Sequence, residues 1–253
     1  MNMVKSVDRA LRIITLVSQK KDGLGVTEIA EKIELNKSSI FKLLRTLMDH
    51  GYIEQDEETK KYRLGYKYIE LSSILLESID LRPQAKPFLK ELETLTNEVI
   101  HLVVYDQGEA YYIEKLEGNE TLRTHSKVGK RVSFHATSVG KVLIAHMDDQ
   151  EAATILEKNG LPKHTDNTIT DKEKLLQELQ KIRTQGFGVE IEENEVGITC
   201  IAAPIFDHRG DITAGVSISG PSTRLTEPRL EEIKTILIDR CNKISRRLGY
   251  TGV

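Results

Sequence analysis

The stretch that decides the fold of the N-terminal part runs from Val26 to Gly51, VTEIAEKIELNKSSIFKLLRTLMDHG. Its apolar spacing predicts two short helices joined by a tight turn at 34–35, with Gly51 ending the second helix. Thr27 and Asn36 are the expected N-caps, because each offers a side-chain oxygen to the free amides of a first helical turn.

The second of these helices has one apolar face and one basic face. The apolar residues recur at the spacing of a single buried stripe, namely Ile40, Leu43, Leu44 and Leu47. From Asn36 to Leu47 there are three basic residues and no acid. Such a helix, preceded by a short partner helix, suits the DNA major groove, although the two helices alone are equally consistent with an ordinary hairpin bearing solvated lysines. The residues expected to face DNA are Lys37, Ser38, Ser39, Phe41, Lys42 and Arg45.

The residues after this helix predict a β-hairpin, which favours a winged helix over a plain helical hairpin. Segments 52–55 and 61–64 alternate like strands, and the residues between them form a polar turn. Lys60 and Lys61 are expected at or beside the wing tip, where they could meet phosphates. Three acids in the same turn leave open that the wing only braces the helix.

Charge divides unevenly along the chain. Its 253 residues allow one large domain or two modest ones, and the net charge is -3. Residues 1–66 hold 12 basic and 10 acidic side chains, whereas the remainder holds 24 and 29. A small basic reader attached to an acidic body favours a site-specific regulator over a protein that coats DNA.

Several classes of protein lack support in the sequence. Cys200 and Cys241 lie far apart in no CxxC motif, so neither a disulfide framework nor a zinc site is indicated. The seven histidines show no paired-ligand spacing, and we expect no metal and no cofactor. No signal peptide and no apolar run of membrane-spanning length occurs, so we expect a cytoplasmic protein without a membrane partner.

The predicted domain organisation has three parts. Residues 1–66 form the winged helix-turn-helix domain, with a supporting first helix at about 6–20. Residues 67–79 form a linker helix, for which the helical pattern runs over 66–76, and residues 80–253 form a second domain. The linker carries an apolar stripe that we expect to pair with its copy across a dimer: Tyr68, Leu71, Ile74 and Leu75.

From residue 80 onward, strand patterns interleave with helical patterns. This arrangement predicts an α+β domain with a mostly antiparallel sheet, as in small-ligand sensors. A long helix is expected from Arg82 to Val99. The other predicted helices are 138–146, 149–159, 171–185 and 227–248, and the predicted strands are 100–106, 110–115, 121–126, 187–191, 198–206 and 212–219.

Six blocks of sequence carry a resemblance to a known family. They are SVDRALRII, KSSIFKLLRTL, YRLGYKYIEL, FHATSVGKVLIA, EENEVGITCIAAPIFDHRGD and AGVSISGPSTRLT. In this order they resemble the IclR family of transcriptional regulators over nearly the whole chain. The resemblance implies a winged helix-turn-helix domain, a GAF-like α/β effector domain, operator DNA as partner, and homodimers that often pair into homotetramers.

Two details of the resemblance concern specificity. Ser39, Phe41 and Lys42 stand where Thr, His or Tyr, and Arg are common in the family, so the operator sequence is left open. The sensor half is most similar to regulators of sugar-acid (2-keto-3-deoxygluconate) catabolism.

A helix beginning at Thr137 or Ser138 is the first feature of the expected effector site. Its first amides are unpaired and suit a carboxylate, although a plain capped helix would look the same. A phosphate loop does not fit, because Val142 follows Lys141 where Ser or Thr is required. The family resemblance places effector contacts on Ser138, Val139, Glu190, Cys200, Ser217 and Ser219, and apolar contacts on Val132 and Ile198.

Cys200, Ser217 and Ser219 alternate on two apolar strands, as either core fillers or a pocket lining. These strand residues include no Lys or Arg. We therefore expect a small hydroxy- or keto-acid held by neutral hydrogen bonds and a helix terminus, not by an ion pair.

The interpretation that fits all of these patterns is a repressor of a carbohydrate or organic-acid catabolic operon. An activator of the same family that responds to an aromatic acid is the alternative. A hydrolase is poorly supported, because Ser219 occupies the second glycine of a G-x-S-x-G motif and no pattern places a base beside Cys200. An interaction module without DNA binding conflicts with the basic helix and wing.

Overall fold

A computed structural model describes residues 3–78, 80–118 and 126–252. The chain divides into two compact units, Met1–Ile79 and Asp80–Val253. Among the described residues, no helix combines the length and the apolar character needed to cross a membrane.

The N-terminal unit is a three-helix domain followed by a small hairpin. Apolar residues from all three helices and from the hairpin share one core, in which Ile13, Ile29, Ile40 and Leu44 are fully buried. The predicted winged helix-turn-helix is confirmed. Its elements are α1 (Lys5–Ser18), α2 (Val26–Ile33), α3 (Lys37–Asp49), β1 (Ile53–Gln55), β2 (Tyr62–Leu64) and α4 (Lys67–Ser78).

The caps of α2 and α3 differ in kind. Asn36 caps α3 as predicted, since its side chain accepts the amide of Ser39 at 2.9 Å. The prediction of Thr27 as the cap of α2 is wrong: Gly25 is the N-cap, and its amide donates to the carboxylate of Glu28 at 2.9 Å. A glutamate at the third helical position accepts the amide of the N-cap residue, whereas a capping side chain would accept an amide of the first turn.

The C-terminal unit contains five helices and five strands within the described residues. Its α6, α7 and β6 have the predicted bounds, and the other elements differ by a few residues at their ends. The elements are α5 (Leu81–Thr96), β3 (Val99–Asp106), β4 (Glu109–Leu116), α6 (Ser138–His146), α7 (Asp149–Asn159), α8 (Lys172–Gln185), β5 (Gly188–Ile191), β6 (Ile198–Phe206), β7 (Ile212–Pro221) and α9 (Glu227–Arg247).

The five strands form one sheet in the order β4-β3-β7-β6-β5, and every pair is antiparallel. This confirms the predicted α+β class with its antiparallel sheet. Helices α5 and α9 pack against each other and against β3 and β6, whereas α6 packs against β5, β6 and β7 and is backed by α8. Helices therefore cover both faces of the sheet.

Close packing of α6 on the sheet depends on two glycines. A Cβ at Gly215 of β7 would lie 2.8 Å from Val139 Cγ2, and one at Gly140 would lie 2.2 Å from the carbonyl oxygen of Ser133. Both positions therefore need hydrogen in place of a side chain, and they bring the N-terminal end of α6 close to the strands.

Three predicted details need correction or fall outside the described residues. The helix expected from Arg82 to Val99 begins at Leu81, where Asp80 is the N-cap, and ends at Thr96 because Asn97 adopts a left-handed conformation with φ of 56°. Val99 therefore opens β3. Of the strand expected at 121–126, residues 121–125 lie outside the described residues, as does the side chain of Leu75 in the linker.

Candidate functional site

The exposed face of α3 presents the residues predicted to read DNA. Lys37, Ser38, Phe41, Lys42 and Arg45 are all exposed, and Ser39 is half-buried. Within the part of the chain that the structure describes, neither Lys42 nor Arg45 forms an ion pair, so both charges are available to a ligand. On the opposite face Ile40, Leu44 and Leu47 are buried, whereas Leu43 is only half-buried.

The wing is stiffened by its own polar turn. Asp56 accepts hydrogen bonds from the amide and hydroxyl of Thr59, both at 2.8 Å, and these bonds lower the pKa of its carboxyl. Lys60 adopts φ of 57° at the end of the turn and is exposed, while Lys61 is half-buried. Arg63 pairs with Glu54 across the two strands at 2.6 Å. The turn therefore holds Lys60 outward beside the acids.

A cavity of about 390 Å³ lies in the C-terminal unit, between the N-terminal end of α6 and the sheet. It brings together seven of the eight residues predicted to contact an effector: Ser138, Val139, Glu190, Ile198, Cys200, Ser217 and Ser219. The sheet register explains the grouping, since Cys200 pairs with both Glu190 and Ser219 across neighbouring strands. Residues paired in this way point to the same face of a sheet.

Val132 is the exception. Its side chain is buried in the hydrophobic core beside the cavity and is not part of the lining. The lining also includes residues that the sequence did not single out: His101, Tyr112, Ser126, Lys130, Arg131, Ser133, His164, Asn194 and Glu195. Of these, His101 carried a detectable signal, because it interrupts an otherwise apolar strand next to Leu102.

The N-terminus of α6 supplies hydrogen-bond donors to the cavity. Thr137 is the N-cap, and its Oγ1 accepts the amide of Gly140 at 3.0 Å. The amides of Ser138 and Val139, the first two helical residues, have no acceptor within the helix. The Ser138 hydroxyl is buried in the cavity wall and has no hydrogen-bond partner among the described residues. An unpaired buried hydroxyl beside free amides forms a site that can bind the oxygen atoms of a ligand.

On the wall of the cavity opposite the N-terminus of α6, a buried histidine lies close to several serine hydroxyls. His101 Nε2 lies 2.7 Å from Ser126 Oγ, and its Nδ1 lies 3.4 Å from Ser217 Oγ and 3.5 Å from Ser219 Oγ. Burial, with a smaller effect from Lys115, lowers the pKa of His101 to about 3. The ring is therefore neutral at physiological pH and joins three serine hydroxyls into one polar wall.

Two basic residues, Lys130 and Arg131, also line the cavity. Arg131 is largely exposed and contacts Glu109 at 3.4 Å. The prediction that the strand residues include no Lys or Arg concerned Cys200, Ser217 and Ser219, and these two basic side chains come from outside the strands. The segment after β4 brings these side chains in through backbone hydrogen bonds of Tyr112 to Lys130 and of Val132 to Ala110.

Hydrolytic chemistry finds no support in this geometry. Ser217 and Ser219 lie within β7 and not on a strand-to-helix turn. A histidine with a pKa of about 3 is too weak a base to activate them, and burial raises the pKa of Cys200 well above its ordinary value. Among the described residues, no group of three His, Cys, Asp or Glu side chains is placed to hold a metal ion.

Comparison with protein-family models gives two matches that together span most of the chain. The IclR helix-turn-helix domain matches residues 6–57. The model described as bacterial transcriptional regulator IclR C-terminal matches residues 74–246. The first covers the three helices and the first strand of the N-terminal unit, and the second covers the sheet, its helices and the cavity.

Relatives and solved structures agree with these matches. The transcriptional regulator XynR of Escherichia coli K12 is 38% identical over 250 residues, covering 99% of each chain. The regulator KdgR of the same organism is 38% identical over 247 residues, covering 98% of this chain and 94% of KdgR. The crystal structure of the Thermotoga maritima IclR is 36% identical, covers 97% of this chain and 99% of that one, and superposes with a TM-score of 0.66.

Proposed function

This chain belongs to the IclR family of DNA-binding transcriptional regulators, and on that premise we propose that it represses a carbohydrate or organic-acid catabolic operon until a small hydroxy- or keto-acid binds its C-terminal unit. In this proposal residues 1–66 read operator DNA, residues 67–79 link the two functions and residues 80–253 sense the acid. Because a regulator of bacterial operons must reach the chromosomal DNA, we expect this protein in the cytoplasm.

The proposal that the effector is a small acid rests on one observation, the unpaired Ser138 hydroxyl in the cavity wall at the N-terminus of α6. The positive end of a helix dipole and free amides favour an anion there. The opposite wall offers His101, Ser217 and Ser219, which suit hydroxyl or carbonyl oxygens. Similarity to KdgR, a regulator that is 38% identical to this chain, supports a sugar acid within this class.

Control of DNA binding would follow from a shift between two arrangements of the assembly. The acid binds one arrangement more tightly, and the linker helix α4 transmits that preference to the spacing of two DNA-reading heads. A ligand shifts such an equilibrium only by its difference in affinity for the two states. An activator that responds to an aromatic acid fits less well, because Val139 and Ile198 are the only purely apolar side chains among the described residues that line the cavity.

The effector site can be tested by filling it. We expect Ser138→Leu and Ser219→Leu each to weaken acid binding by roughly 5- to 150-fold, because overpacking a closed site costs about 1–3 kcal/mol. Calorimetry against 2-keto-3-deoxygluconate, D-gluconate, glyoxylate and pyruvate measures the binding. A mobility shift of the DNA upstream of the neighbouring operon should show that both variants bind DNA and no longer respond to the acid.

Thr154→Leu is the matched control, since Thr154 is exposed on α7 and its hydroxyl bonds only within its own helix. This control should bind the acid as the wild type does. If both cavity variants respond normally to an acid that binds the wild type, the effector site lies elsewhere.

The assembly can be tested on the linker helix. Leu71 and Ile74 are 40% and 61% exposed in the single chain, on a helix too short to form a core of its own. We propose that this stripe pairs with its copy in a homodimer, which the family resemblance extends to a homotetramer. Sedimentation at micromolar concentration should show a dimer or larger species, and Leu71→Lys with Ile74→Lys should shift it toward the monomer. Leu176→Lys, at an exposed leucine of α8, is the control, and a monomeric wild type would contradict the proposal.

A further inference from the structure

The floor of the cavity contains a carboxyl group that has no ion-pair partner among the described residues. Glu190 is 2% exposed, lines the cavity, and accepts the amide of Glu193 on its Oε2 at 2.8 Å. Its partner on β6 is Cys200, whose thiol is neutral because burial raises its pKa. Among the described residues, Glu190 therefore has hydrogen-bonding neighbours but no cation in direct contact with its carboxyl group.

The buried ammonium group of Lys141 forms an ion pair with a different carboxylate, that of Glu193. Lys141 Nζ lies 2.6 Å from Glu193 Oε1 and 3.2 Å from the carbonyl oxygen of Val189, and its side chain is 1% exposed. This geometry directs the ammonium charge at Glu193, so Lys141 acts on Glu190 only at longer range. The other charged or titratable groups around the cavity are His101 of β3, Tyr112 of β4, Lys130 and Arg131 after β4, His164 after α7, and Glu195 after β5.

The environment favours the neutral acid at this position. Burial raises the pKa of Glu190 to about 7, against the opposing effect of hydrogen bonds from Cys200 and from the amide of Glu193. The charge of Glu193 acts in the same direction as burial. Near neutral pH a free cavity would therefore contain both protonated and ionised Glu190.

We propose that Glu190 is protonated in the effector complex and donates a hydrogen bond to the bound acid, so that effector binding takes up one proton. The inference rests on the proposed function, since it requires an anionic effector in this cavity. An ionised Glu190 would repel a carboxylate within the same small space, whereas the neutral group removes that repulsion and adds a donor. The proton comes from solvent and resides on the carboxyl of Glu190, and no other bond changes.

If Glu190 is protonated in the complex, effector affinity should weaken as the pH rises. Below a pH of about 7 the group is already protonated, and effector affinity should be independent of pH. Above that pH the free protein must first gain a proton, so the dissociation constant should rise by up to about tenfold for each further pH unit. The acids used as probes stay ionised throughout, so the change belongs to the protein.

Calorimetry of the full chain with 2-keto-3-deoxygluconate, D-gluconate and pyruvate at pH 6 and pH 8 tests the inference. Runs in two buffers of different ionisation enthalpy count the protons exchanged. We expect close to one proton taken up per effector at pH 8 and almost none at pH 6. Glu190→Gln keeps a hydrogen-bond donor that cannot titrate, so its affinity should not change with pH and its proton uptake should vanish.

Glu195→Gln and His164→Asn remove two other titratable groups of the same lining. Whatever their effect on affinity, both should retain the proton uptake of the wild type. Wild-type binding without proton uptake overturns the inference, and this measurement decides the matter even if the Gln variant fails to fold. Uptake that persists in a folded Glu190→Gln variant also overturns it, with the proposed function intact. If no acid of the panel binds and none alters DNA binding, both are overturned.

Discussion

Lys42→Ala combined with Arg45→Ala is expected to abolish specific operator binding. Both side chains project from the exposed face of α3 and form no ion pair within the described residues, so their charges are free to meet bases and phosphates. Each lost contact costs about 1–3 kcal/mol, and the pair should therefore weaken binding by roughly 30- to 10⁴-fold. A mobility-shift titration on DNA upstream of the neighbouring operon, at fixed salt concentration, measures the loss.

The control separates this loss from a general change of charge. Lys86→Ala with Lys90→Ala removes the same charge from exposed positions of α5, in the C-terminal unit. It should leave operator affinity nearly unchanged, and acid binding by calorimetry should be normal in both double variants. Wild-type operator affinity in the α3 variant would rule out this helix as the reader.

Lys141→Met is expected to cause the largest loss of stability among single changes considered. The ammonium of Lys141 and the carboxylate of Glu193 lie 2.6 Å apart, with side chains 1% and 10% exposed. Removing one member leaves the other charge buried without its partner, which costs about 3–5 kcal/mol in the free energy of unfolding. Because the chain has no tryptophan, urea unfolding is best followed by far-UV circular dichroism.

Two further variants test whether the loss of stability comes from a buried charge left without its partner. Lys141→Met with Glu193→Leu should recover most of the loss, because Glu193 Oε2 has no hydrogen-bond partner among the described residues and a well-packed apolar pair replaces both charges. Arg63→Ala breaks an ion pair of the same 2.6 Å length at the exposed wing and should cost less than about 1 kcal/mol. A loss as small for Lys141→Met would contradict a buried, stabilising role for the pair.

Local chemistry accounts for how well the sequence predicts individual elements. The helix α3 begins after Asn36 as expected, and α6 and α7 occupy their predicted residues, because Thr137 and Asp148 each cap a first turn within three residues. Caps and apolar periods act over one or two turns, so they are visible in a single sequence. The error at Val99 has a similarly local cause, since Asn97 ends α5 in a conformation that non-glycine residues rarely adopt.

Only the tertiary structure decided which further residues join the predicted ones in the cavity lining, and which buried groups pair with each other. His101 meets Ser217 through a strand pairing between residues 116 positions apart, and Lys141 finds Glu193 across 52 positions. Neither pairing leaves a periodic or local trace in the sequence. The same long-range packing adds Lys130 and Arg131 to the lining, which the sequence did not predict, and it buries Val132 outside that lining.

By itself, therefore, the sequence determined the two-part α+β architecture, the exposed basic face of α3 that we propose reads DNA, and the strands and helix end that border the cavity. Each of these depends on residue spacing within one element or on motifs within one block. Three other features depend on burial and on neighbours that only the folded sheet supplies. They are the charge state of Glu190, the neutral ring of His101 and the buried ion pair of Lys141. Desolvation is a property of the packed chain, and no residue pattern reports it.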